Sequence, residues 1–261
     1  MLESVRSARL FDLEQPRYAG APSHPAHLPG FNYFLHRHHA HGAPEARTGA
    51  SGIIVTPEHS GTHIDALAHQ AENLKLHGGI AADEVQTSTG FKKLGIDTMA
   101  PIVTRGVLID LARDSRLPEG HAISAEELER AADVEVGKGD AVLIRTGYGA
   151  LWSNPDAYLR AAGVSAGGSR WLIERRAAVV GADNMAFDVM GPADPELKVT
   201  LPGHVLLLVR AGIPIIENLN LEEMAAAGIH EFVFVCLPLK MRGATGSPVR
   251  PIGIASAPAA G

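Results

Sequence analysis

Few backbone paths can accommodate the stretch Glu58-His59-Ser60-Gly61-Thr62-His63-Ile64-Asp65-Ala66-Leu67-Ala68-His69, where four side chains able to hold a dication or relay a proton fall within eleven residues. In a continuous helix, at about 100° per residue, His59 and His63 share a face while Asp65 and His69 lie far round the cylinder. In a continuous strand all four face one side, but at about 3.3 Å per residue His59 and His63 stand roughly 13 Å apart, a strained separation for one ion. A bend between them removes both difficulties, and Gly61 can take the backbone conformation a bend needs. The spacing therefore predicts a strand-turn-helix corner. His63 and Asp65 point the same way from a short extended stretch. A helix entered at Ala66, with the helix formers Leu67, Ala68, Gln70, Ala71 and Glu72, then lets Asp65 and His69 share a face. Neutral imidazoles with a carboxylate suit zinc, manganese or ferrous iron better than calcium or magnesium. A second pair, His204 and Glu217, stands at the two ends of an expected helix-turn-strand return, which brings them near one another.

The rest of the chain reads as an α/β domain. Val107 to Leu111, Ala141 to Arg145, Ala178 to Ala182, Ile213 to Glu217, Phe232 to Leu237 and Val249 to Ile254 are apolar runs of strand length. Ser124-Ala125-Glu126-Glu127 fits a capping box opening a helix through Ala132. Further helices are expected from about Arg170 to Arg176 and from Gly203 to Arg210, the latter ended by Gly212. Strands alternate with helices in the middle and crowd together at the ends, which predicts a mixed sheet with flanking helices. Residues 1–261 form one domain on this reading. Residues 1–50 are an extended Pro/His-rich arm, interrupted by Pro16, Pro22, Pro25 and Pro29.

Composition narrows the function. With 46% hydrophobic and 20% charged residues the chain is of ordinary globular type. Cys236 is the single cysteine, which excludes a disulfide framework or a cysteine metal cluster, and its apolar neighbours predict a buried thiol. A formal charge of -6 offers no basic surplus for nucleic acid. Apolar runs such as Val205 to Val209 are far short of the roughly 20 residues of a membrane span, and Met1–Arg6 lacks the basic start of a secretory signal, so a cytoplasmic protein is expected. The phosphate-binding Gly-x-x-x-x-Gly-Lys loop and the Gly-x-Gly-x-x-Gly fingerprint are absent from the sequence.

The chain resembles the cyclase family of metal-dependent hydrolases, which includes bacterial kynurenine formamidases and isatin hydrolases. The resemblance lies in His59-Ser60-Gly61-Thr62-His63-Ile64-Asp65 with His69 four residues on, matching the family's HxGTHxDxxxH signature. It extends to Leu143-Ile144-Arg145-Thr146-Gly147, to His204 with Glu217 in Ile215-Ile216-Glu217-Asn218-Leu219, and to the segment Pro238 to Arg250. Leu67 departs from the proline that kynurenine formamidases commonly carry there, which bears on substrate more than on metal. The resemblance implies a swivelling β/β/α fold and a homodimer or higher homo-oligomer. It implies His59, His63 and Asp65 as metal ligands, His204 and Glu217 as the distal ligands, and His69 as the proton shuttle. One or two zinc or manganese ions per chain are implied, bridged by Asp65 and Glu217 when there are two.

The expected activity is hydrolysis of an amide, formamide or lactam C-N bond of a small substrate by metal-bound hydroxide, with His69 moving the proton that expels the nitrogen. The same site is also compatible with lactone opening, with cyclisation or dehydration, or with metal binding without turnover. Phe31 and Tyr33 are candidates to stack on an aromatic substrate, beside Phe34. His77 is a candidate pocket residue. The tract His36-Arg37-His38-His39-Ala40-His41 lacks a consistent spacing for one ion and reads as a loop whose rings help shape a pocket, as do His24 and His27.

Overall fold

The structure, a computed structural model, describes residues 7–41 and 44–256. The segment Met1–Arg6, on which the leaderless reading rested, lies outside the described residues. Nine strands form the main sheet: β1 (Ala8–Asp12), β2 (His63–Asp65), β3 (Ile102–Asp110), β4 (Ala141–Arg145), β5 (Val179–Ala182), β6 (Ile215–Glu217), β7 (Glu231–Cys236), β8 (Gly246–Pro248) and β9 (Ile252–Ser256). Their order across the sheet is β1-β9-β7-β3-β4-β5-β6-β2-β8. The central neighbours β3, β4, β5 and β6 run parallel, and every pairing outside them is antiparallel. This is the mixed sheet that the element order predicts.

Parallel strands are covered on both faces, which is why β4 and β5 read as unbroken apolar runs. Side chains alternate between two cores: Leu108 and Leu143 enter one, with Phe11, Phe232 and Phe234, while Val107, Ile109, Val142 and Ile144 enter the other. Helices α1 (Ala125–Ala131) and α2 (Ala166–Glu174) cover the second face through Leu128, Trp171 and Leu172. Burying each such large aliphatic side chain contributes about 1.5–3 kcal/mol.

The capping box forms as expected. The Ser124 hydroxyl accepts from the Glu127 amide at 3.2 Å, and Glu127 Oε2 accepts from the Ser124 amide at 2.8 Å. Helix α2 begins four residues before its expected start, because Ser165 caps it by accepting from the Gly168 amide at 3.2 Å and so offsets two weak helix formers, Gly167 and Gly168. Helix α3 (Pro202–His204) runs into a π-helical turn, Val205–Ala211, that ends at Gly212 with φ 71°. Of the expected strand Val249 to Ile254 only the part from Ile252 forms, as the start of β9; β8 ends at Pro248, and Pro251 between them cannot donate to a ladder.

Residues 8–41 and 44–55 are more structured than an extended arm. They contain edge strand β1, a short 3-10 turn at Pro25–His27, and a hairpin of Asn32–Arg37 with Ser51–Val55. Cys236 is buried, and burial pushes its thiol pKa up to about 12, as the apolar strand predicts. Among the described residues no helix is long and apolar enough to cross a membrane.

Candidate metal centre

The corner forms at Gly61, whose φ is +64°. A second reason for glycine is visible there: a Cβ would stand 2.5 Å from Arg17 Nη1. The Arg17 guanidinium donates to the Ser60 and Thr62 carbonyls and its Nε to Glu14 at 2.7 Å. The chain before the hairpin thus clamps the corner from outside, helped by the Gln15 amide on Thr62 Oγ1 at 2.8 Å.

Strand β2 places His63 and Asp65 on one face and Ile64 in the core on the other. Antiparallel pairing sets Glu217 of β6 directly opposite His63, so two side chains far apart in sequence meet at 3.5 Å, His63 Nε2 to Glu217 Oε2. His204, at the end of α3, directs Nε2 to Glu217 Oε1 at 3.3 Å and to Asp65 Oδ2 at 3.6 Å. His59 Nδ1 lies 2.8 Å from Asp65 Oδ1. His59, His63, Asp65, His204 and Glu217 are all buried, and they converge as their spacing and pairing require.

His69 reaches the same place by a different path from the one expected. No helix begins at Ala66: the Ala66 amide donates to Thr245, that of Ala68 to Leu94, and that of His69 back to Ala66, closing a single turn. His69 nevertheless stacks on His59 with ring centroids 3.9 Å apart.

Two triads are close enough to hold a cation, His59 with Asp65 and His69, and His63 with Asp65 and Glu217; within each, the candidate ligand atoms lie within 4.8 Å of one another. The test of fit is Asp65 Oδ2, a buried carboxylate oxygen with no hydrogen-bond partner among the described residues. Such an atom costs about 1–3 kcal/mol or more when unsatisfied. Electrostatics point the same way. Burial alone would raise the Asp65 pKa, yet His69, His59 and His63 hold it well below the carboxylate range. Burial and the adjacent Asp65 charge push Glu217 up despite its bond to His204. Burial depresses His63 and His69 to about 3, leaving neutral imidazoles with lone pairs. His63 Nδ1 donates to the Gly61 carbonyl at 2.8 Å, so the lone pair is on Nε2, facing the carboxylates. Two buried carboxylates flanked by neutral imidazoles fit a divalent cation.

Two cavities meet at the site. One of about 340 Å³ is lined by His63, His204, Glu217, Met185 and Leu201, and one of about 640 Å³ by His59, Glu58, Leu239, Met241 and Pro248. His27 and His69 border both, so the arm does contribute a ring to the pocket. Other expected pocket residues lie elsewhere. Phe31 lines neither cavity, and Tyr33 is 53% exposed with its ring over Gly52. His77 Nδ1 donates to the Val209 carbonyl at 2.9 Å, its ring sits against Gly212, and it lines neither cavity. His36 and His39 contact Ser51 and Thr48 on the exposed hairpin, and no ring of the His36–His41 tract lines either cavity.

The Leu143 to Gly147 motif supports the site rather than lining it. Asp183 accepts from the Thr146, Gly147 and Gly149 amides, and Arg145 pairs with Asp110 and Glu222. Sequence reasoning missed Arg17 and Asp188; neither carries a spacing signal, although Asp188 follows the end of a parallel strand, where α/β sheets place their sites.

The family model described as Putative cyclase matches residues 11–189, and the chain belongs to this cyclase family. Cyclase-like protein 3 of Oryza sativa subsp. japonica is 29% identical over 206 residues, 74% of this chain and 62% of that protein, so the chain spans less than two thirds of this relative's length. A kynurenine formamidase of Sphingopyxis alaskensis is 27% identical over 252 residues, 94% of this chain and 97% of the relative. A crystal structure of a novel cyclase is similar with a TM-score of 0.86 at 29% identity, over 97% of this chain and 89% of the other.

Proposed function

We propose that this chain is a metal-dependent hydrolase that opens an amide, formamide or lactam C-N bond of a small substrate. The observation that carries the reading is the unpartnered, buried Asp65 Oδ2, 3.6 Å from His204 Nε2 and beside a cavity that His63, His69 and Glu217 line. His63, Asp65, His204 and Glu217 would hold the ion, with His59 completing a second position on Asp65. A divalent cation bound there supplies a Lewis acid that polarises a carbonyl and acidifies water.

The chain's own groups account for the rest. His69, neutral because it is buried, takes up a proton on a ring nitrogen and returns it to the departing amine. Nitrogen is a poor leaving group, so a C-N bond gains most from such a group. His59, held against Asp65 and Thr245, orients the His69 ring by stacking. The smaller cavity suits the acyl group at the carboxylates. Leu239, Met241 and Pro248 in the larger one suit an apolar or aromatic body. Similarity to a kynurenine formamidase supports a formamide or related amide as substrate.

A second copy of the chain is the proposed partner. Tyr33, Phe34 and Leu35 on one hairpin strand and Ile53, Ile54 and Val55 on the other are all exposed, leaving apolar side chains on both hairpin faces. An isolated two-stranded hairpin of that kind is unstable in water without a covering surface. Sedimentation should give a dimer or larger that Phe34→Lys weakens; a monomer at every concentration contradicts this.

The activity is tested by chelating the protein, restoring Zn²⁺ or Mn²⁺, and assaying N-formylkynurenine, isatin and simple lactones. Turnover of a C-N substrate that requires the ion is expected. Lactone opening alone would move the activity to the oxygen esters, and no turnover of any C-N substrate would overturn the reading.

A further inference from the structure

We propose that Asp188 is the positioning residue for His204, selecting the imidazole nitrogen that faces the cation site. The assignment rests on the metal-binding reading above.

Asp188 is 1% exposed. Its carboxylate meets three donors from a single dipeptide: the Gly203 amide at 2.6 Å, the His204 amide at 3.1 Å and His204 Nδ1 at 2.8 Å. Among the described residues no lysine or arginine pairs with it. A buried carboxylate of this sort costs several kcal/mol of desolvation, and an apolar residue of similar size would fill the space without that cost. Its retention therefore calls for something that only an acceptor supplies.

The geometry shows what that is. Accepting from Nδ1-H leaves the lone pair of His204 on Nε2, and Nε2 is the atom 3.6 Å from the unpartnered Asp65 Oδ2 and 3.3 Å from Glu217 Oε1. A carboxylate behind an imidazole also makes the opposite nitrogen a better ligand. The two backbone amides hold the same residue's main chain, so one side chain fixes both the place and the tautomer of His204. His63 is oriented by the same logic through a neutral acceptor, the Gly61 carbonyl.

Position 203 is fitted to this carboxylate. A Cβ there would stand 2.7 and 2.8 Å from the two Asp188 oxygens and 2.7 Å from Ser169 Oγ. Leu201, with φ 51°, turns the chain so that the two amides face Asp188. The segment Leu201-Pro202-Gly203-His204 is thus built around an anion supplied from a distant loop.

The test is the Zn²⁺ affinity of the full chain and of Asp188→Asn, measured by competition with a chromophoric chelator after unfolding curves have established that both fold. Asparagine keeps the size but removes the charge and cannot serve all three donors: with its oxygen shared by the His204 amide and Nδ1 its amide nitrogen opposes the Gly203 amide, and reversed it donates to Nδ1. We expect affinity 10–100-fold weaker. Equal affinity in a folded Asp188→Asn protein overturns the assignment. A second measurement needs no variant: in the ¹⁵N-histidine spectrum of the Zn²⁺-loaded natural chain, His204 must carry its proton on Nδ1. A proton on Nε2 overturns the assignment even if the variant does not fold. Failure of the natural chain to take up Zn²⁺ is a separate outcome, which removes the metal reading and the Asp188 assignment together.

Discussion

His59 and His69 lie with ring centroids 3.9 Å apart and planes 29° from parallel, beside the carboxylate of Asp65. Two imidazoles so close do not both become positively charged. Burial works against a charge on either, but the Asp65 hydrogen bond raises His59, while His69, with no such bond, is pushed down to about 3. The stack therefore divides the roles. His59 belongs to the carboxylate side and His69 is free to exchange a proton with substrate.

Replacing His69 by alanine should separate chemistry from metal binding. With a positioned acid-base group removed, kcat is expected to fall about 10²–10⁴-fold. The first equivalent of Zn²⁺ should still bind, since His63, Asp65, His204 and Glu217 remain. Steady-state kinetics with elemental analysis of the same samples checks both halves, and full activity would remove His69 from the mechanism.

The metal-free protein should be most stable near pH 6.5. The folded-state pKa values of His63 and His69, depressed to about 3 by burial, lie below their unfolded values. As pH falls from 6.5 towards 3 the unfolded chain gains protons that the folded chain does not, so stability is lost, by up to about 1.4 kcal/mol per pH unit for each group. His59 and His204 are shifted the other way: burial opposes their charge, but Asp65 raises His59, and Asp188 with Glu217 raises His204 well above the ordinary value. Their contribution is complete below pH 6.5 and declines as pH rises through the raised values. Calorimetric scans from pH 4 to 9 should show Tm falling on both sides. A steady rise to pH 9 would contradict the assigned burial of these rings.

Gly61 and Gly78 both have positive φ, +64° and +73°, but only Gly61 has a neighbour in the way of a side chain. Gly78→Ala should cost only the backbone strain, about 1 kcal/mol. Gly61→Ala adds a 2.5 Å approach to Arg17 and should cost about 1–3 kcal/mol more, as well as weakening Zn²⁺ binding by shifting His59 against His63. Urea unfolding of the two variants side by side measures the difference. Equal costs would mean that the Arg17 clamp is not rigid.

The corner was legible because Gly61 separates two imidazoles that neither a helix nor a strand can bring together. The sheet was legible because buried parallel strands such as β4 must be apolar on both faces. The helix expected at Ala66 was not realised, because tertiary partners Thr245 and Leu94 bind the amides a helix would use, and local propensity yields to them. Tyr33 and His77 illustrate the limit of proximity in sequence: the first is carried out on a hairpin and the second is held by a bond to Val209, lining neither cavity. Arg17 and Asp188 were invisible because each acts on a segment far away in sequence, through contacts that only the fold creates.

Anomalous diffraction at the zinc edge, from crystals of chelated protein resupplied with Zn²⁺, tests the central claim most directly. The account predicts a peak among His63 Nε2, His204 Nε2, Asp65 and Glu217, adjoining Asp65 Oδ2. No peak there, or one only on the exposed His36–His41 hairpin, would contradict it.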